Sequence, residues 1–337
     1  MAWWMKILSS KFLRATRWNT ELILTRFMPD DFDIVTFRHE RNHINAEIPY
    51  HFLHEQEIDE NGILRKVNTI FLTGKECAFK CLMCDLWKNT LTSATPPGAI
   101  LKQIDYALKR LPPADIIKLY NSSNFFDTKA VPLSDYPGII ERVRSFKKVI
   151  VENHPNLCGP SCVDFNERID GKLEIAMGLE TIHPNVLPRL NKKLTVTDFK
   201  KAAAFLQNHH IQMRAFVLLN PPFLIGETEN IEWALKTIDF AFDCGVGCCS
   251  VIPTRKGNGI MEELEKSGDY VAPSLASLEQ VIEKALTFKK GRVFADTWDI
   301  SFLANCNTCF EKRKLRLEKM NLTQKILPKI NCNYCYA

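Results

Sequence analysis

Long apolar segments are absent from this sequence of 337 residues. No apolar run approaches the roughly 20 residues that a helix needs to cross a bilayer, which argues against a membrane-spanning protein. The opening residues, MAWWMKILSSKFLRATRW, combine aromatic and basic side chains but lack the apolar stretch and the small-residue cleavage site of a secretory signal. We therefore expect a cytoplasmic protein that makes no contact with a membrane.

Extremes of composition are also absent, because 46% of the residues are hydrophobic and 25% are charged, as in ordinary soluble globular proteins. The length allows one large α/β domain with appendages. Residues 1–60 hold few glycines and no clear repeat, and we interpret them as an N-terminal extension that wraps this domain.

Short apolar runs alternate with segments of helical periodicity from residue 67 onward. The predicted strands are 67–73, 116–121, 148–153, 172–178, 211–219 and 247–253. The predicted helices between and after them are 99–111, 133–146, 197–210, 227–245 and 274–288. For the helix over 197–210, Thr197 is the expected N-cap, and an apolar face repeats at helical spacing.

Strands that alternate with helices of this length indicate βαβ units around a parallel sheet. Six such units predict an α/β fold, a partial TIM-like (β/α)6 barrel over residues 61–290. In such a barrel, the loops that follow the strands carry the chemistry.

A fourth cysteine is missing from the segment GKECAFKCLMCDLWK, residues 74–88, which directly follows the first predicted strand. The three that are present, Cys77, Cys81 and Cys84, have the spacing C-x-x-x-C-x-x-C. A cluster of four irons normally takes four thiolates, so three leave one iron open to bind something else. The alternative is a structural zinc whose fourth ligand lies elsewhere, such as Cys158 or a histidine.

This spacing, directly after the first strand, resembles that of the radical S-adenosylmethionine (SAM) enzymes. The resemblance implies that Cys77, Cys81 and Cys84 hold a [4Fe-4S] cluster whose open iron chelates the amine and carboxylate of SAM. It further implies an electron donor such as flavodoxin or ferredoxin. The reduced cluster then cleaves SAM to a 5′-deoxyadenosyl radical, which abstracts hydrogen from an organic substrate.

Further segments resemble the superfamily and imply contacts with SAM. The residues so implied are Met83 over the adenine, Ser122 and Ser123 near the methionine amine, Glu152 and Glu180 on the ribose hydroxyls, and Lys192 or its competitor Arg214 on the carboxylate. Several of these segments depart from the family pattern, including Met83, which stands where an aromatic residue is common. In LYNSSNFFD, Ser122 and Ser123 replace the glycines of a Gly-Gly-Glu stretch and no Glu follows, so backbone carbonyls or serine oxygens would make that contact. Lys192 replaces an arginine. A lysine ammonium is a point charge, whereas an arginine guanidinium can pair with a carboxylate through two hydrogen bonds.

Ordinary structural roles stay open for several of these residues. Glu152 and Glu180 could be solvated carboxylates at strand ends, and Arg214 could form a salt bridge. Within the superfamily, IIKLYNSSNFFDTKAVP followed by GLET (178–181) most resembles the Elongator-like branch, which includes the archaeosine-forming enzymes of transfer-RNA modification. An acetyltransferase domain like that of the Elongator subunit is not evident after residue 290.

The C-terminal segment, residues 291–337, differs from the rest in charge and in cysteine content. Two C-x-x-C pairs supply four thiolates, Cys306, Cys309, Cys332 and Cys335, which suit zinc or an auxiliary iron–sulfur cluster. Residues 306–337 hold seven Lys or Arg and two Glu, which gives this stretch a net charge of +5. The net charge of the whole chain is also +5, so the rest of the chain is neutral overall. This basic excess could dock a transfer RNA or be a solvated helix face.

The remaining cysteines carry weaker signals. Cys158 and Cys162 follow the third predicted strand and could contact substrate or quench a radical, although an idle thiol is the simpler interpretation. Cys244, Cys248 and Cys249 are expected to be small buried residues.

Three functions are compatible with these patterns. The first is a radical SAM enzyme that acts on a transfer-RNA base. The second applies the same chemistry to a small metabolite, a natural-product intermediate or a peptide. The third is a non-catalytic iron–sulfur or zinc protein. The sequence does not distinguish an oxidoreductase from a lyase or a transferase.

Overall fold

The computed structural model describes residues 29–334. Its strands in chain order are β1 His51–Ile58, β2 Leu64–Phe71, β3 Ile116–Tyr120, β4 Lys148–Glu152, β5 Lys172–Glu180, β6 Gln212–Leu219, β7 Cys248–Pro253 and β8 Arg292–Ala295. Its α-helices are α1 Asp31–Thr36, α2 Ala99–Leu108, α3 Tyr136–Val143, α4 Pro160–Arg168, α5 Val196–Asn208, α6 Glu227–Asp243, α7 Ile260–Ser267, α8 Leu275–Leu286 and α9 Phe310–Thr323.

All eight strands form one sheet in the order of the chain, from β1 to β8. β1 pairs with β2 in the antiparallel sense, and every later pair is parallel. The sheet curls into a half-barrel with helices on its outer face, so the predicted α/β partial barrel is confirmed. The six predicted strands are β2 to β7. The structure adds β1 inside the expected N-terminal extension and β8 inside the C-terminal segment.

The start of α5 differs from the sequence prediction. Thr195, rather than Thr197, is the N-cap, because its side chain accepts a hydrogen bond from the backbone N–H of Asp198. The Asp198 carboxylate accepts in return from the backbone N–H of Thr195, which completes a capping box. The prediction of Thr197 was wrong by two residues.

The two faces of the sheet have different surroundings. Outward side chains such as Ile117, Val149 and Ile175 are fully buried beneath the helices and belong to the main apolar core. Because strand side chains alternate, the neighbouring positions point to the concave face. A small apolar cluster there includes Val67 and Ile150.

Buried ion pairs fill the concave face toward the amino ends of the parallel strands. Arg214, the third residue of β6, donates from Nε to Glu174 Oε1 over 2.7 Å and from Nη1 to Glu57 Oε2 over 3.1 Å. Lys118 pairs with Glu57 at 2.8 Å, and Arg292 with Glu174 at 3.3 Å. Because their charges neutralise one another, these side chains can be buried together. They fill the end of the barrel interior that lies at the amino ends of the parallel strands.

The last helix covers the outer edge of β8. Gln324, just after α9, exchanges two side-chain hydrogen bonds with the backbone of Val293, at 2.8 and 2.9 Å. Asn321 does the same with Ala295, at 2.8 Å each way. α9 also packs against β1. Side-chain amides thus take the place of a ninth strand at this edge.

Ion pairs reduce the basic excess of the C-terminal segment. Arg313 and Arg316 of α9 are buried against Glu279 and Glu283 of α8, with N–O distances of 2.8 and 2.6 Å. The exposed basic side chains of the segment are Lys312, Lys319, Lys325 and Lys329. In the part of the chain from residue 29 to residue 334, no helix combines the length and apolarity that a membrane crossing needs.

Candidate functional site

The three cysteines of the first motif lie in the loop that follows β2, at the carboxyl edge of the sheet. Backbone groups of this loop are held by segments that follow other strands. Leu82 N donates to Leu190 O at 2.9 Å, and the Asn191 side chain donates to Lys80 O at 2.8 Å. Asn258 donates to Leu82 O at 2.6 Å. The loop is therefore fixed by the segments after β5 and β7.

Cys77, Cys81 and Cys84 have environments that disfavour free thiolates. Burial raises the pKa of each thiol, to about 11 for Cys81. Positive charge from a bound metal would be needed to hold all three as thiolates at neutral pH. The burial of three thiols in one pinned loop thus fits a metal centre.

The spacing of the sulfur atoms differs between the cysteines of this loop and the C-terminal cysteines. Cys306, Cys309 and Cys332 place their sulfurs all within 4.8 Å of one another, and the Cys306 and Cys332 sulfurs are 3.9 Å apart. Among the described residues, the loop cysteines do not form a set this tight. Tetrahedral Zn–S bonds of about 2.3 Å place sulfurs about 3.8 Å apart, whereas a cluster holds each thiolate on a different iron.

One loop cysteine accepts a hydrogen bond from a distant segment. Asn124 Nδ2 donates to Cys77 Sγ at 3.2 Å, while Asn124 Oδ1 accepts from the backbone N–H of His154 at 2.7 Å. The His154 ring stacks on Phe79 of the cysteine loop, with ring centroids 3.7 Å apart. Asn124 is thus held at both ends of its amide, and sequence reasoning did not identify it.

His154 is held as a neutral ring in one tautomer. Its Nδ1 accepts from the backbone N–H of Asn156 at 3.1 Å, so Nε2 carries the proton and donates to Lys192 O at 3.0 Å. Burial lowers the pKa of His154 to about 3, with the nearby Lys192 charge as a second cause. This ring therefore connects the cysteine loop to the segment of Lys192 without adding charge.

Glu180 and Lys192 form a buried ion pair beside the cysteines. Lys192 Nζ lies 2.9 Å from Glu180 Oε1. The ammonium also lies near Cys81 and Cys77, where it favours the thiolate forms. A side chain at Gly178 would place its Cβ 2.6 Å from Lys192 Nζ and closer still to Glu180 Oε1. The missing side chain at Gly178 thus makes room for the pair.

Glu152 ends β4 at the same edge of the sheet. Its Oε2 accepts from the backbone N–H of Asn121 at 3.3 Å, and burial raises the pKa of the carboxyl to about 7. The buried side-chain amide of Asn121 and the Ser123 hydroxyl have no hydrogen-bond partner within the described residues. Orphaned polar atoms of this kind fit a polar ligand that would complete their hydrogen bonds.

Tyr50 is a second residue that sequence reasoning missed. It directly precedes β1, and its phenol oxygen accepts from Ser122 Oγ at 3.1 Å. Burial raises the pKa of Tyr50, and the charge of Glu152 adds to this rise. The only hint to Tyr50 in the sequence was its place as an aromatic residue just before a strand. This hint was missed because residues 1–60 were placed in an N-terminal extension.

Met83 lies within the cysteine loop, whereas Arg214 lies away from it. Met83 packs against an apolar cluster that includes Val186, Leu218 and Ile260. Arg214 lies in the buried ion pairs toward the amino end of β6, and the structure does not bring it to the cysteine loop. Its alternative interpretation, an ordinary salt bridge, describes its position.

Most of the remaining cysteines lie in apolar or structural surroundings. Cys162 is fully buried in the main core, and Cys158 lies 3.7 Å from the Met177 sulfur. Cys248 and Cys249 are fully buried on β7. The last predicted thiolate of the C-terminal set, Cys335, lies outside the described residues.

Comparisons with known proteins give relatives by sequence and similar solved structures. An uncharacterised protein of Methanocaldococcus jannaschii is 24% identical over 295 residues, which are 81% of this chain and 80% of the relative. Archaeosine synthase subunit beta of Methanosarcina acetivorans is 25% identical over 241 residues, 67% of this chain and 68% of the relative. No protein-family model matches the chain.

A solved structure of spore photoproduct lyase in complex with dinucleoside spore photoproduct has the same fold. It aligns with a TM-score of 0.51 and 12% identity over 86% of this chain and 94% of that one. Together with the archaeosine synthase relative, this shared fold confirms the predicted resemblance to the radical SAM superfamily and, within it, to the Elongator-like branch that includes the archaeosine-forming enzymes.

Proposed function

We propose that this chain is a radical SAM enzyme whose substrate is a base of a transfer RNA. Cys77, Cys81 and Cys84 would hold a [4Fe-4S] cluster in the loop after β2. With SAM bound, the reduced cluster would supply a 5′-deoxyadenosyl radical for removal of a hydrogen atom from the substrate. A small electron-transfer protein such as flavodoxin or ferredoxin would provide the electron.

The observation that carries this proposal is the Glu180–Lys192 pair beside the cysteine loop, with Gly178 leaving room for it. An α-carboxylate of SAM would share Lys192 with Glu180. Glu152 and Glu180 would accept hydrogen bonds from ribose hydroxyls. The free polar atoms of Asn121 and Ser123 would complete the contacts to the amino acid part of SAM.

Anaerobic reconstitution tests the proposal. The purified chain is loaded with iron and sulfide, reduced with dithionite and incubated with SAM, and 5′-deoxyadenosine is measured. Cys81→Ala should abolish the product, while Cys244→Ala, at the end of α6, should match the wild type. A fully loaded wild-type protein that forms no 5′-deoxyadenosine would leave the non-catalytic iron–sulfur protein as the better hypothesis.

The C-terminal cysteines would bind a single zinc ion with a structural role. The 3.9 Å separation of the Cys306 and Cys332 sulfurs supports zinc over a second cluster, and Cys335 would supply a fourth ligand. Metal analysis of protein purified without added iron should find about one zinc per chain if four thiolates close the site. Iron and sulfide at this site would instead indicate an auxiliary cluster.

A nucleic-acid substrate is supported by the archaeosine synthase relative and by the exposed lysines of the C-terminal segment. Lys312, Lys319, Lys325 and Lys329 would contact phosphates, so the affinity for transfer RNA should fall steeply with salt. Absent or salt-independent binding would favour the small-molecule substrate.

A further inference from the structure

A row of aromatic rings crosses the concave face of the sheet above the buried ion pairs. In the order in which they meet, the rings of this aromatic row are Phe216, Tyr120, Phe71, Trp298 and His51. Neighbouring centroids lie 6.3, 6.1, 5.7 and 5.0 Å apart along that order. The row therefore runs from the interior of the half-barrel to the boundary between its two outer strands, β1 and β8, which we call the seam.

Exposure increases along the aromatic row toward this seam. Tyr120, Phe216 and Phe71 are only half-buried although they belong to interior strand positions, His51 is exposed, and Trp298 is 48% exposed. Interior positions of a small barrel are normally filled by side chains. The rings of the row thus keep surface that a ligand could contact, and this surface is largest at its outer end, at His51 and Trp298.

The backbone holds Trp298 in this position. Asp296 continues the ladder of β8, since its N–H donates to Val251 O at 2.9 Å. Its side-chain Oδ1 accepts from the Trp298 N–H at 3.0 Å. The turn that presents Trp298 is therefore tied to the end of the strand, and the indole lies against His51 of β1 across the seam.

Positive charge borders the same seam from outside. α9 packs against both β1 and β8, the two strands next to the opening. Its exposed lysines, Lys312 and Lys319, are followed by Lys325 and Lys329. Exposed aromatic rings beside a basic surface are the combination that binds single-stranded nucleic acid, with bases stacked and phosphates paired.

We propose that the seam between β1 and β8 is the port through which an unpaired RNA base reaches the reaction site, with Trp298 and His51 stacking the base and the lysines of the C-terminal segment holding its phosphates. The proposal rests on the proposed function for the chemistry and assigns its substrate class and binding residues. A base that acts as a substrate must leave its stack, and aromatic rings replace the lost stacking energy. Beyond the seam, the aromatic row includes Tyr120, which lies near Glu152.

The test measures the binding of fluorescein-labelled RNA to the full-length protein by anisotropy. One probe is a short single strand, and the other is a blunt duplex of the same sequence. Wild-type protein should prefer the single strand. Trp298→Ala should weaken single-strand binding about 5- to 150-fold, the range expected for one stacked base, with little effect on the duplex. Trp298→Phe should restore most of the affinity.

Two control variants separate stacking from charge and from loss of a tryptophan. Trp233→Ala, on α6, should bind both probes as the wild type does. A variant with Lys312→Gln and Lys319→Gln should weaken both probes alike and lower the salt slope by about one for each contact removed. Equal loss of both probes in Trp298→Ala, no preference for the single strand, or no RNA binding by the wild type would each overturn the proposal.

Failure of the chemistry is distinguished by a separate measurement. Formation of 5′-deoxyadenosine by the wild type without RNA tests the radical reaction alone. Single-strand preference that depends on Trp298, in a protein that does not cleave SAM, would refute the proposed reaction and leave the RNA port supported.

Discussion

Replacing Asn124 with leucine should make the cluster proposed at Cys77 harder to reduce. In the structure, Asn124 Nδ2 donates to Cys77 Sγ at 3.2 Å. A hydrogen bond to a cluster sulfur stabilises the reduced state more than the oxidised state, because the reduced cluster carries more negative charge on its sulfurs. Loss of the donor should therefore shift the reduction potential to a more negative value.

The size of the shift follows from the energy of one hydrogen bond to a charged group, about 1.5–3 kcal/mol. If about half of this energy differs between the two oxidation states, the difference is roughly 0.7–1.5 kcal/mol. Since a tenfold change in a one-electron equilibrium is about 59 mV, the potential should fall by about 30–60 mV. A shift of this size is measurable by anaerobic potentiometric titration followed by electron paramagnetic resonance.

Two variants control for the second hydrogen bond of Asn124. Asn124→Asp keeps an oxygen that can accept from the His154 N–H but removes the donor to Cys77, and its added negative charge should lower the potential at least as far as leucine does. Asn156→Ala removes an amide that donates to Lys193 O at 2.9 Å and does not contact the cysteines, so its potential should match the wild type. Wild-type potentials in both Asn124 variants, at equal iron content, would refute this role.

Three further predictions test charge and metal binding elsewhere in the chain. Glu152→Gln should raise the free energy of unfolding by about 1–3 kcal/mol above pH 7 and leave it unchanged near pH 4.5. The reason is that the buried carboxyl has a pKa of about 7 against a usual 4.5, so the wild-type protein loses stability as this group ionises between these pH values. An equal effect at both pH values in thermal unfolding would contradict this. Arg214→Met should cost about 3–5 kcal/mol in urea unfolding because it removes the arginine that pairs with both buried carboxylates, Glu57 and Glu174, whereas a loss below 1 kcal/mol would assign Arg214 no such role. Cys306→Ser should remove the metal proposed near α9, and Cys244→Ser should retain it, as measured by mass spectrometry of metal content. Equal metal in both variants would exclude Cys306 as a ligand.

The central strands could be predicted from the sequence, whereas the two outer strands could not. β2 to β7 are largely buried, and each contains a short, mainly apolar segment, such as Val149–Val151 in β4. β1 carries Glu55 and Glu57, and β8 is four residues long and begins with Arg292. Their charges are neutralised by partners far away in the chain, such as Arg214 for Glu57. No local pattern reveals such pairing.

The position of a residue along its predicted strand indicates how close it lies to the catalytic edge of the half-barrel, and the sequence contained this signal. Glu152 is the last residue of β4, and Arg214 is the third of eight residues in β6. In parallel strands, only residues near the carboxyl ends reach the loops that carry chemistry. Position along the predicted strand therefore separates the two residues, whereas charge and strand membership alone do not.

Contacts between distant loops were beyond the sequence. Asn124 and Cys77 are 47 residues apart, and Tyr50 and Ser122 are 72 residues apart. Asn124 and Cys77 meet because parallel strands bring the loops that follow them to one edge of the sheet. Tyr50 reaches the same edge because it precedes β1, which is antiparallel to β2. The cysteine spacing could be recognised because all three ligands lie within eight residues. The groups that orient the cysteine loop have no such local pattern.

The two cysteine sets differ in what their geometry requires of the rest of the chain. The loop cysteines are pinned by Leu190, Asn191 and Asn258, which belong to barrel segments, so this loop keeps its shape without the C-terminal segment. The C-terminal set instead precedes and follows α9, which covers β8 and borders the seam. Loss of the metal proposed at the C-terminal set should therefore disturb the proposed RNA binding at the seam before it disturbs the proposed SAM cleavage at the loop. A Cys306→Ser variant that cleaves SAM normally but binds single-stranded RNA weakly would show this separation, and a parallel loss of both would contradict it.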